Sequence, residues 1–339
     1  MDKAQIEGIL VSILDQHKKG SPTELIEWSK PLNLPEPLTI QNIYPALDSL
    51  KQKDIIIRSG AIWILKDLSG GKFYDWEGNF RKLCHLYEKG INPLLIGPPG
   101  CGKTISILLM AEKYNQNIHS LNLSLRCREQ HLLGRLDLQD GNINWKKGPL
   151  PLSMEEGSIL MLDEINQSEP DVLIRLNECL DDRRELNYEG LTIHAKPSWF
   201  FTASINPLDC PGAKELPQQI LSRFSARLVY NYPPAFTELK IVERKLTLES
   251  QHRDDLLKVL KLFENIRSTD EYPYRPTTRE SITAAHLLNS GYSLTETIDL
   301  TLINAMRQWG TFHMDNLKTL AHSLGCYEEQ KVKADDITI

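Results

Sequence analysis

The chain has 339 residues, and its 41% hydrophobic and 25% charged residues are average for a globular protein, which excludes a disordered or fibrous chain. At roughly 150 residues per domain, this length predicts two or three domains. The formal net charge is −6, so a phosphate polymer would repel the chain as a whole, and any contact with nucleic acid must come from a local patch.

Cysteine usage and the N-terminal residues indicate the compartment. The six cysteines are scattered along the chain and lack the paired spacing of a zinc site. The first residues lack the basic and apolar regions of a secretory signal, and no apolar run is long enough to span a membrane. We therefore expect reduced thiols, a cytoplasmic location and no contact with a membrane.

Residues 1–70 carry the pattern of a small helical domain. Apolar residues at helical spacing over residues 6–14 predict a first helix that ends near residues 17–20, and a capping box at Ser21-Pro22-Thr23-Glu24 begins a second. A third helix begins near Thr39, with Pro45 bending its early turns, and isoleucine-rich runs on either side of residues 58–60 predict a hairpin. This order of three helices and a hairpin resembles a winged-helix domain.

Two roles are open for this winged-helix-like domain. Binding of DNA would place the third helix in the major groove, where it offers Gln41, Asn42, Lys51 and Lys53. Residues 1–70 hold eight basic and nine acidic residues, so the basic surface that DNA binding needs is missing. This balance favours docking of a protein over contact with DNA.

The strongest motif of the chain begins at residue 97. An apolar strand predicted over residues 91–96 runs into a segment that fits the pattern G-x-x-x-x-G-K-[ST], and a helix is predicted after it over residues 105–114. Backbone N–H groups of such a loop bind the β-phosphate of a nucleotide, Lys103 neutralises the β- and γ-phosphate oxygens, and the Thr104 hydroxyl ligates Mg²⁺. The predicted nucleotide-binding residues of the loop are Gly97, Pro98, Pro99, Gly100, Cys101, Gly102, Lys103 and Thr104.

An acidic pair about 60 residues downstream completes the chemistry that hydrolysis needs. Residues 159–162 predict a buried parallel strand that ends in Asp163 and Glu164. At such a strand end Asp163 can help hold the metal, and Glu164 can activate the water that attacks the γ-phosphate. The alternative is an ordinary acidic helix N-terminus, because Ser168-Glu169-Pro170 begins a helix shortly after.

The segments that follow complete a family resemblance. Residues 200–207 form a further apolar strand that ends at Asn206, and Leu221-Ser222-Arg223-Phe224 comes after it. Together with the phosphate loop and the acidic pair, these segments resemble the AAA+ ATPases, and more narrowly the MoxR and dynein-related (midasin-like) branch. The resemblance covers about residues 72–320.

The resemblance implies an α/β fold for the chain. It predicts a P-loop core with a parallel five-stranded sheet between helices over residues 72–232, and an α-helical lid over residues 233–323. A charged tail over residues 324–339 follows the lid. The winged-helix-like domain of residues 1–70 precedes the core.

The resemblance also assigns roles to single residues. Asn206 takes the position of sensor 1, which helps to place the attacking water, and Arg279 takes the sensor 2 position of the lid. Arg223 takes the position of the arginine finger, which reaches the γ-phosphate bound by a neighbouring subunit; Arg227 is the alternative finger. A finger shared between subunits implies a homo-oligomeric ring, typically a hexamer, with ATP and Mg²⁺ as its cofactors.

Two hairpins are predicted within the core. One surrounds Asp140-Gly141 and the other surrounds Glu189-Gly190. Their positions resemble the helix-2 insert and the pre-sensor 1 hairpin, which in ring-shaped relatives face the central channel and touch substrate. Solvated hairpins without such a role are the alternative.

The resemblance favours one function over two others. The favoured function is a Mg²⁺-dependent ATPase that forms a ring and remodels a protein or protein complex, with a protein substrate or adaptor encoded elsewhere. The alternatives are a nucleic-acid-dependent, helicase-like motor and a nucleotide-switched DNA-binding regulator, which would use the winged helix or the hairpins. Residues 206–209 come near the signature of GTP-using restriction motors, so guanine is open as the base, and ATP is favoured.

Overall fold

The computed structural model describes residues 6–10, 13–14, 19–30, 37–52, 56–59, 62–65, 73–139, 142–188, 190–210 and 212–328. The chain folds into two compact units, Met1–Gly71 and Lys72–Ile339. The boundary falls at Gly70-Gly71, where turn residues interrupt the apolar pattern.

The first unit combines helices with a small antiparallel sheet. Its elements are α1 (residues 6–10 and 13–14), β1 (Lys19–Gly20), α2 (Pro22–Ser29), α3 (Ile40–Gln52), β2 (Ile56–Ser59) and β3 (Ile62–Leu65), with the strands in the order β1-β3-β2. The Ser21 side chain accepts a hydrogen bond from Glu24 N, and the Glu24 carboxylate accepts one from Ser21 N, which confirms the predicted capping box. Helix α3 continues through Pro45. The winged-helix assignment stays a prediction.

The core of the first unit lies between its helices. The apolar residues that recur at helical spacing face one another there, and wholly buried examples are Leu10, Leu14, Leu25, Ile43 and Leu47. Burial of each such side chain stabilises the fold by about 1.5–3 kcal/mol. The predicted periodicity of the helices therefore marks their buried faces.

The core of the second unit is a layered α/β structure. Its elements in chain order are α4 (Asn79–Glu88), β4 (Pro93–Ile96), α5 (Lys103–Lys113), β5 (Ile118–Asn122), α6 (Glu129–Leu133), β6 (Gly134–Gln139), β7 (Asn142–Lys147), α7 (Pro149–Glu156), β8 (Ile159–Asp163), α8 (Pro170–Cys179), β9 (Glu185–Tyr188), β10 (Leu191–His194), β11 (Phe200–Ile205), α9 (Gln218–Leu221) and β12 (Ala226–Val229). Five of the described strands form a parallel sheet in the order β12-β4-β11-β8-β5. The predicted five-stranded parallel sheet is confirmed.

The register of this sheet gathers the predicted site residues at one edge. Ile205 at the end of β11 pairs with Ile96 at the end of β4, and Asp163 at the end of β8 pairs with Asn122 of β5. The phosphate loop, the acidic pair and Asn206 therefore leave the sheet at the same edge. Open parallel sheets bind their ligands in the crevice at the carboxyl ends of the strands.

Aromatic and aliphatic side chains hold the sheet to its helices. Phe201 of β11 stacks on Phe224 with ring centroids 5.4 Å apart, and on Trp199 at 6.2 Å. Strands buried on both faces need continuous apolar runs, which explains the sequences of the inner strands β4 and β8.

Both predicted hairpins of the core are present. Strands β6 and β7 pair as one antiparallel ladder, and β9 and β10 pair as another. Residues 140, 141 and 189 at their turns lie outside the described residues. The two hairpins pack on each other through Trp145 and Tyr188, whose ring centroids are 5.2 Å apart.

Within the described residues, the elements after β12 are all helical; they lie where the sequence predicts the lid, and this helical part is called the lid below. Its helical segments are α10 (Ala235–Glu243), α11 (Ser250–Arg267), α12 (Thr278–Asn289), α13 (Leu294–Ile298), a π-helical turn (Asp299–Ile303), α14 (Asn304–Met306), a 3₁₀ turn (Arg307–Trp309) and α15 (Thr311–Ser323). They enclose their own apolar core, which includes Leu260, Phe263 and Leu302. None of the described helices is long and apolar enough to cross a membrane.

The predicted charged tail begins at residue 324, and two of its described residues pack on the lid. Cys326 and Tyr327 are buried in the apolar core of the lid, with exposed fractions of 1% and 7%. The Tyr327 hydroxyl also donates a hydrogen bond of 2.9 Å to Asp299 Oδ1. The lid therefore extends past residue 323, because two apolar side chains after α15 fold back onto it; residues 329–339 lie outside the described residues.

Candidate nucleotide site

The phosphate loop joins β4 to α5 and depends on its glycines. Gly100 and Gly102 have φ angles of +73° and +104°, in the left-handed region that side chains disfavour. A Cβ atom at Gly100 would lie 2.6 Å from Cβ of Thr277 in the lid. The loop can therefore pass closely under the lid only without a side chain at this position.

Lys103 is the first residue of α5 and is only 6% exposed. Its ammonium donates hydrogen bonds to the carbonyl oxygens of Gly97 at 2.6 Å and Pro98 at 2.8 Å, and to Asn206 Oδ1 at 3.2 Å. These acceptors offset the cost of burying the charge. They also hold the cation inside the curve of the loop, where a bound phosphate group would meet it.

Thr104 and Asp163 meet across the same edge of the sheet. The Thr104 hydroxyl donates a hydrogen bond of 2.9 Å to Asp163 Oδ2, and the other carboxylate oxygen of Asp163 accepts one from the Ser204 hydroxyl. A hydroxyl and a carboxylate beside a phosphate loop are the hard oxygen donors that Mg²⁺ prefers. The donor set therefore fits the metal that the sequence predicts.

Glu164 directly follows β8 in an uncommon backbone conformation. Its φ angle of +55° is left-handed and costs about 1–2 kcal/mol for a residue with a side chain. The Glu164 N–H donates to Ser204 Oγ at 3.1 Å, and the carboxylate accepts hydrogen bonds of 2.9 Å from Asn206 Nδ2 and from Gln167 Nε2. These bonds turn the carboxylate away from the strand and fix its orientation.

Asn206 connects the two charged groups of the site. It is 6% exposed, and its amide accepts from the Lys103 ammonium while donating to the Glu164 carboxylate. Its backbone is fixed as well, because Asn166 Nδ2 donates to Asn206 O at 2.9 Å and Asn166 Oδ1 accepts from Asn206 N at 3.4 Å. A single polar side chain thus sets the geometry between the cation and the carboxylate.

A cleft of about 510 Å³ opens over this network. Besides the loop, the acidic pair and Asn206, it is lined by residues 73–77 before α4, by the start of α4, by the end of α10 with the residues that follow it, and by α12. The lining outside the predicted motifs includes Phe73, Tyr74, Asp75, Trp76, Glu77, Asn79, Asn122, Tyr230, Pro233, Ile241, Arg244, Lys245, Thr278 and Ile282. A volume in this range suits a drug-sized or nucleotide-sized ligand.

The segment before α4 forms the far wall of the cleft. Asp75 accepts hydrogen bonds of 2.9 Å from the N–H groups of Phe80 and Arg81, so it caps α4. Arg244, directly after α10, donates to the Phe73 carbonyl oxygen at 3.0 Å, and its guanidinium carbon lies 4.8 Å from the ring centroid of Tyr74. This wall thus joins the core to the lid, and no sequence motif pointed to it.

The three arginines singled out by sequence lie in different surroundings. Arg279 is exposed in the first turn of α12 and lines the cleft. Arg223 is exposed in the turn after α9 and lies outside the lining of the cleft. The Arg227 guanidinium donates to the Leu221 carbonyl oxygen at 3.2 Å. The structure therefore brings Arg279 to the phosphate loop of the same chain and leaves Arg223 apart from it.

Cys101 is the cysteine of the phosphate loop. Burial raises the pKa of its thiol above the usual value, which keeps the sulfur protonated and a poor nucleophile. Its sulfur lies against Gly97, where an added Cβ atom would come within 3.1 Å of it.

Comparison with known proteins decides the family. The model of the AAA domain, dynein-related subfamily, matches residues 92–224. Protein NorQ of Paracoccus denitrificans is 31% identical over 217 residues, which cover 63% of this chain and 79% of NorQ. The chain belongs to the AAA+ ATPases of the dynein-related, MoxR-like branch. As an AAA+ ATPase it binds nucleotide and hydrolyses ATP.

Other matches to this AAA+ ATPase span similar lengths. The denitrification regulatory protein NirQ of Pseudomonas aeruginosa is 31% identical over 225 residues, which cover 65% of this chain and 85% of NirQ. Among solved structures, NtrX from Brucella abortus in complex with ADP has a TM-score of 0.40 at 13% identity, covering 84% of this chain and 73% of that one.

Several residues of the site were missed by sequence reasoning. Ser204, Asn166 and Gln167 all hold the acidic pair or Asn206. Asn166 and Gln167 follow Glu164 by two and three residues. Their closeness to the acidic pair along the chain was a usable signal. Ser204 lies two residues before Asn206, on a strand that was already predicted.

Proposed function

We propose that the cleft binds ATP with Mg²⁺, that neighbouring subunits of a homo-oligomeric ring complete each site, and that hydrolysis remodels a protein or protein complex. The observation that carries the proposal is the path from Lys103 through Asn206 to Glu164. It puts a phosphate-binding cation and a water-activating carboxylate at fixed positions on either side of one amide.

The metal would be held by oxygen atoms of this chain. The Thr104 hydroxyl would bind it directly, and Asp163 would help to hold it, since these two groups lie 2.9 Å apart at the sheet edge. Held there, Mg²⁺ would supply Lewis-acid chemistry that neutralises negative charge on the nucleotide phosphates. Ser204 keeps the Asp163 carboxylate oriented toward Thr104 through its own hydrogen bond.

The residues of the chain then divide the work of hydrolysis. Lys103 would leave its carbonyl acceptors and bind phosphate oxygens. Glu164 would accept a proton from the water that attacks the γ-phosphorus, and Asn206 and Gln167 would hold its carboxylate in the required direction. Arg279 would bind the phosphate chain from the lid side of the cleft. The hydrogen bonds of Lys103, Glu164 and Asn206 support their roles, and the position of Arg279 in the lining of the cleft supports its own.

The position of Arg223 supports a site completed by a neighbour. A cation at the γ-phosphate stabilises the transition state strongly, and Arg223 lies exposed, outside the lining of its own cleft. In a ring, each subunit would present this guanidinium to the cleft of the next. A hexamer is the stoichiometry that we propose from the family.

Charge favours a protein client over a nucleic acid. The net charge of −6 disfavours tracking along a phosphate backbone, and the balance of basic and acidic residues in residues 1–70 gives that unit no excess of positive charge. The name of NirQ describes a regulatory protein, which fits either kind of client. We propose that residues 1–70 form a winged-helix domain that docks a protein.

Two measurements on the purified protein test this function. Steady-state ATP and GTP hydrolysis should favour ATP and change little when single- or double-stranded DNA is added; stimulation of several-fold by DNA would favour the motor instead.

Sedimentation of the Glu164→Gln variant should show a ring with ATP and Mg²⁺ and smaller species without nucleotide. A monomer under every condition would refute the ring.

A further inference from the structure

We infer that Tyr232 and Arg267 are positioning residues that couple the phosphate loop to the lid helix α12, which carries Arg279. The inference rests on the proposed binding of phosphate by Arg279. It adds a defined route by which nucleotide in the loop and the position of the lid influence each other.

Tyr232 is the contact of this route with the phosphate loop. It lies in the segment between β12 and α10, and its hydroxyl donates a hydrogen bond of 2.8 Å to the Pro99 carbonyl oxygen. Burial raises the pKa of Tyr232 above its usual value, so the hydroxyl stays protonated and remains a donor. Its ring lies 4.4 Å from the Arg267 guanidinium carbon, within the range of a cation–π contact.

Arg267 is the junction of the route inside the lid. Its side chain is 5% exposed and pairs with the wholly buried Glu238 through hydrogen bonds of 2.6 and 3.1 Å. Its Nε donates a further bond of 2.6 Å to the Pro276 carbonyl oxygen. One guanidinium thus joins α11, α10 and the residue before the α12 cap, while its face rests on Tyr232.

The start of α12 is fixed against the loop by the same contacts. Ser281 of α12 donates a hydrogen bond of 2.7 Å to Glu238, so both Pro276 and Ser281 are tied to the Arg267–Glu238 pair. Thr277 caps the helix and lies so close to the phosphate loop that it leaves no room for a side chain at Gly100. Arg279 lies two residues after Thr277, so the contacts that fix the start of α12 also fix its backbone.

The chemistry of the pair argues for a role in geometry. A buried ion pair often contributes little more stability than apolar residues of the same size would, but its directional bonds allow only one arrangement of the three helices. A ligand that shifts Pro99 changes its hydrogen bond with the Tyr232 hydroxyl. A shift of Tyr232 in turn changes the contact of its ring with Arg267. By reciprocity, a shift of the lid must change the affinity of the loop for nucleotide.

A double-mutant cycle between Tyr232→Phe and Arg279→Ala tests the route, with ATP affinity measured by calorimetry in the presence of Mg²⁺. Tyr232→Phe should weaken ATP binding about five-fold in the otherwise native protein, as expected for one lost hydrogen bond. In the Arg279→Ala background it should weaken binding less than about two-fold, because the end of the route is already gone. The thermal midpoint should fall by no more than about 2–4 °C, as the loss of one hydrogen bond predicts for a domain of this size.

Tyr327→Phe is the matched control, since it removes a tyrosine–carboxylate hydrogen bond of 2.9 Å within the lid. It should leave ATP affinity unchanged. Arg267→Lys keeps the charge opposite Glu238 and should repeat the coupled effect of Tyr232→Phe, which guards against a local defect of one variant. Effects that multiply fully in the double variant, or an equal loss from Tyr327→Phe, would overturn the inference.

The outcomes also separate this inference from the proposed function. Native protein that does not bind ATP would refute the proposed function and the route together. If Arg279→Ala alone leaves ATP affinity unchanged while the native protein hydrolyses ATP, the route has no endpoint and only this inference and the role of Arg279 fail. If Tyr232→Phe and Arg279→Ala weaken ATP binding independently, the proposed function stands and the coupling between them is refuted.

Discussion

At the scale of single residues, the site depends on two groups held in unusual surroundings. Lys103 is a cation that is 6% exposed and surrounded by carbonyl oxygens. Glu164 adopts a left-handed backbone with a φ angle of +55°. Strain and buried charge of this kind persist only where surrounding contacts enforce them, and they cluster at functional sites.

Lys103→Ala should abolish tight binding of ATP. The substitution removes the cation that the loop carbonyls hold in place, and charge-assisted bonds to phosphate contribute about 1.5–3 kcal/mol each. Calorimetric titration with ATP measures the loss. Lys113→Ala at the exposed end of α5 is the control and should bind like the native protein; tight binding by Lys103→Ala would remove the assignment of the phosphate loop.

Glu164→Gln should bind ATP and fail to turn it over. The amide keeps the size of the side chain but cannot accept the proton of the attacking water, and loss of a general base costs about 10²–10⁴-fold in kcat. Phosphate release measures turnover, and calorimetry measures binding. Glu156→Gln changes an exposed carboxylate on α7 that pairs with His119 at 2.7 Å and should keep native turnover. Native turnover by Glu164→Gln would exclude it as the base.

At the scale of helices and strands, we expect the buried ion pair of the lid to contribute more to stability than a partly exposed ion pair does. Glu238→Ala should lower the free energy of unfolding by about 3–5 kcal/mol, because it leaves the Arg267 charge buried without its carboxylate. Glu155→Ala breaks the half-exposed pair with Lys147 and should cost less than about 1 kcal/mol. Urea unfolding followed by circular dichroism measures both; equal losses would contradict the buried-charge argument.

The sequence predicted features that depend on neighbouring residues, and it could not predict contacts between residues that are far apart along the chain. The strand, loop and helix around Lys103 were predictable because their signal is local: a glycine pattern between an apolar run and an amphipathic helix. Pairs such as Arg267 with Glu238, or Tyr232 with Pro99, lie far apart along the chain and meet only through packing. No periodicity or motif marks such pairs.

The wall of the cleft around Phe73 and the burial of Cys326 and Tyr327 were missed for related reasons. The segment before α4 carries no recognisable motif, and contacts that are distant along the chain, such as Arg244 of the lid with the Phe73 carbonyl oxygen, hold it beside the site. After α15, the charged residues that follow Tyr327 dominate the composition. Two apolar side chains in front of them are enough to anchor this stretch to the lid, but not enough to form a pattern.

At the scale of the whole molecule, the position of Arg223 predicts a shared active site. Arg223→Ala and Glu164→Gln should each be inactive alone, because one lacks the cation offered to the neighbour and the other lacks the base. Equimolar mixing should restore hydrolysis to at most about a quarter of the native rate, since random closed rings place an intact base beside an intact finger at that frequency. Phosphate release across mixing ratios measures the rescue.

The alternative finger supplies the control for this experiment. Arg227 lies four residues further on, and its guanidinium already donates to the Leu221 carbonyl oxygen. Arg227→Ala should therefore keep activity on its own and need no rescue. If Arg227→Ala is inactive and is rescued by Glu164→Gln while Arg223→Ala stays active, then Arg227 is the finger and the ring model survives. Absence of rescue for both arginine variants at every ratio would contradict the shared site, because complementary defects in one closed ring must produce some intact interfaces.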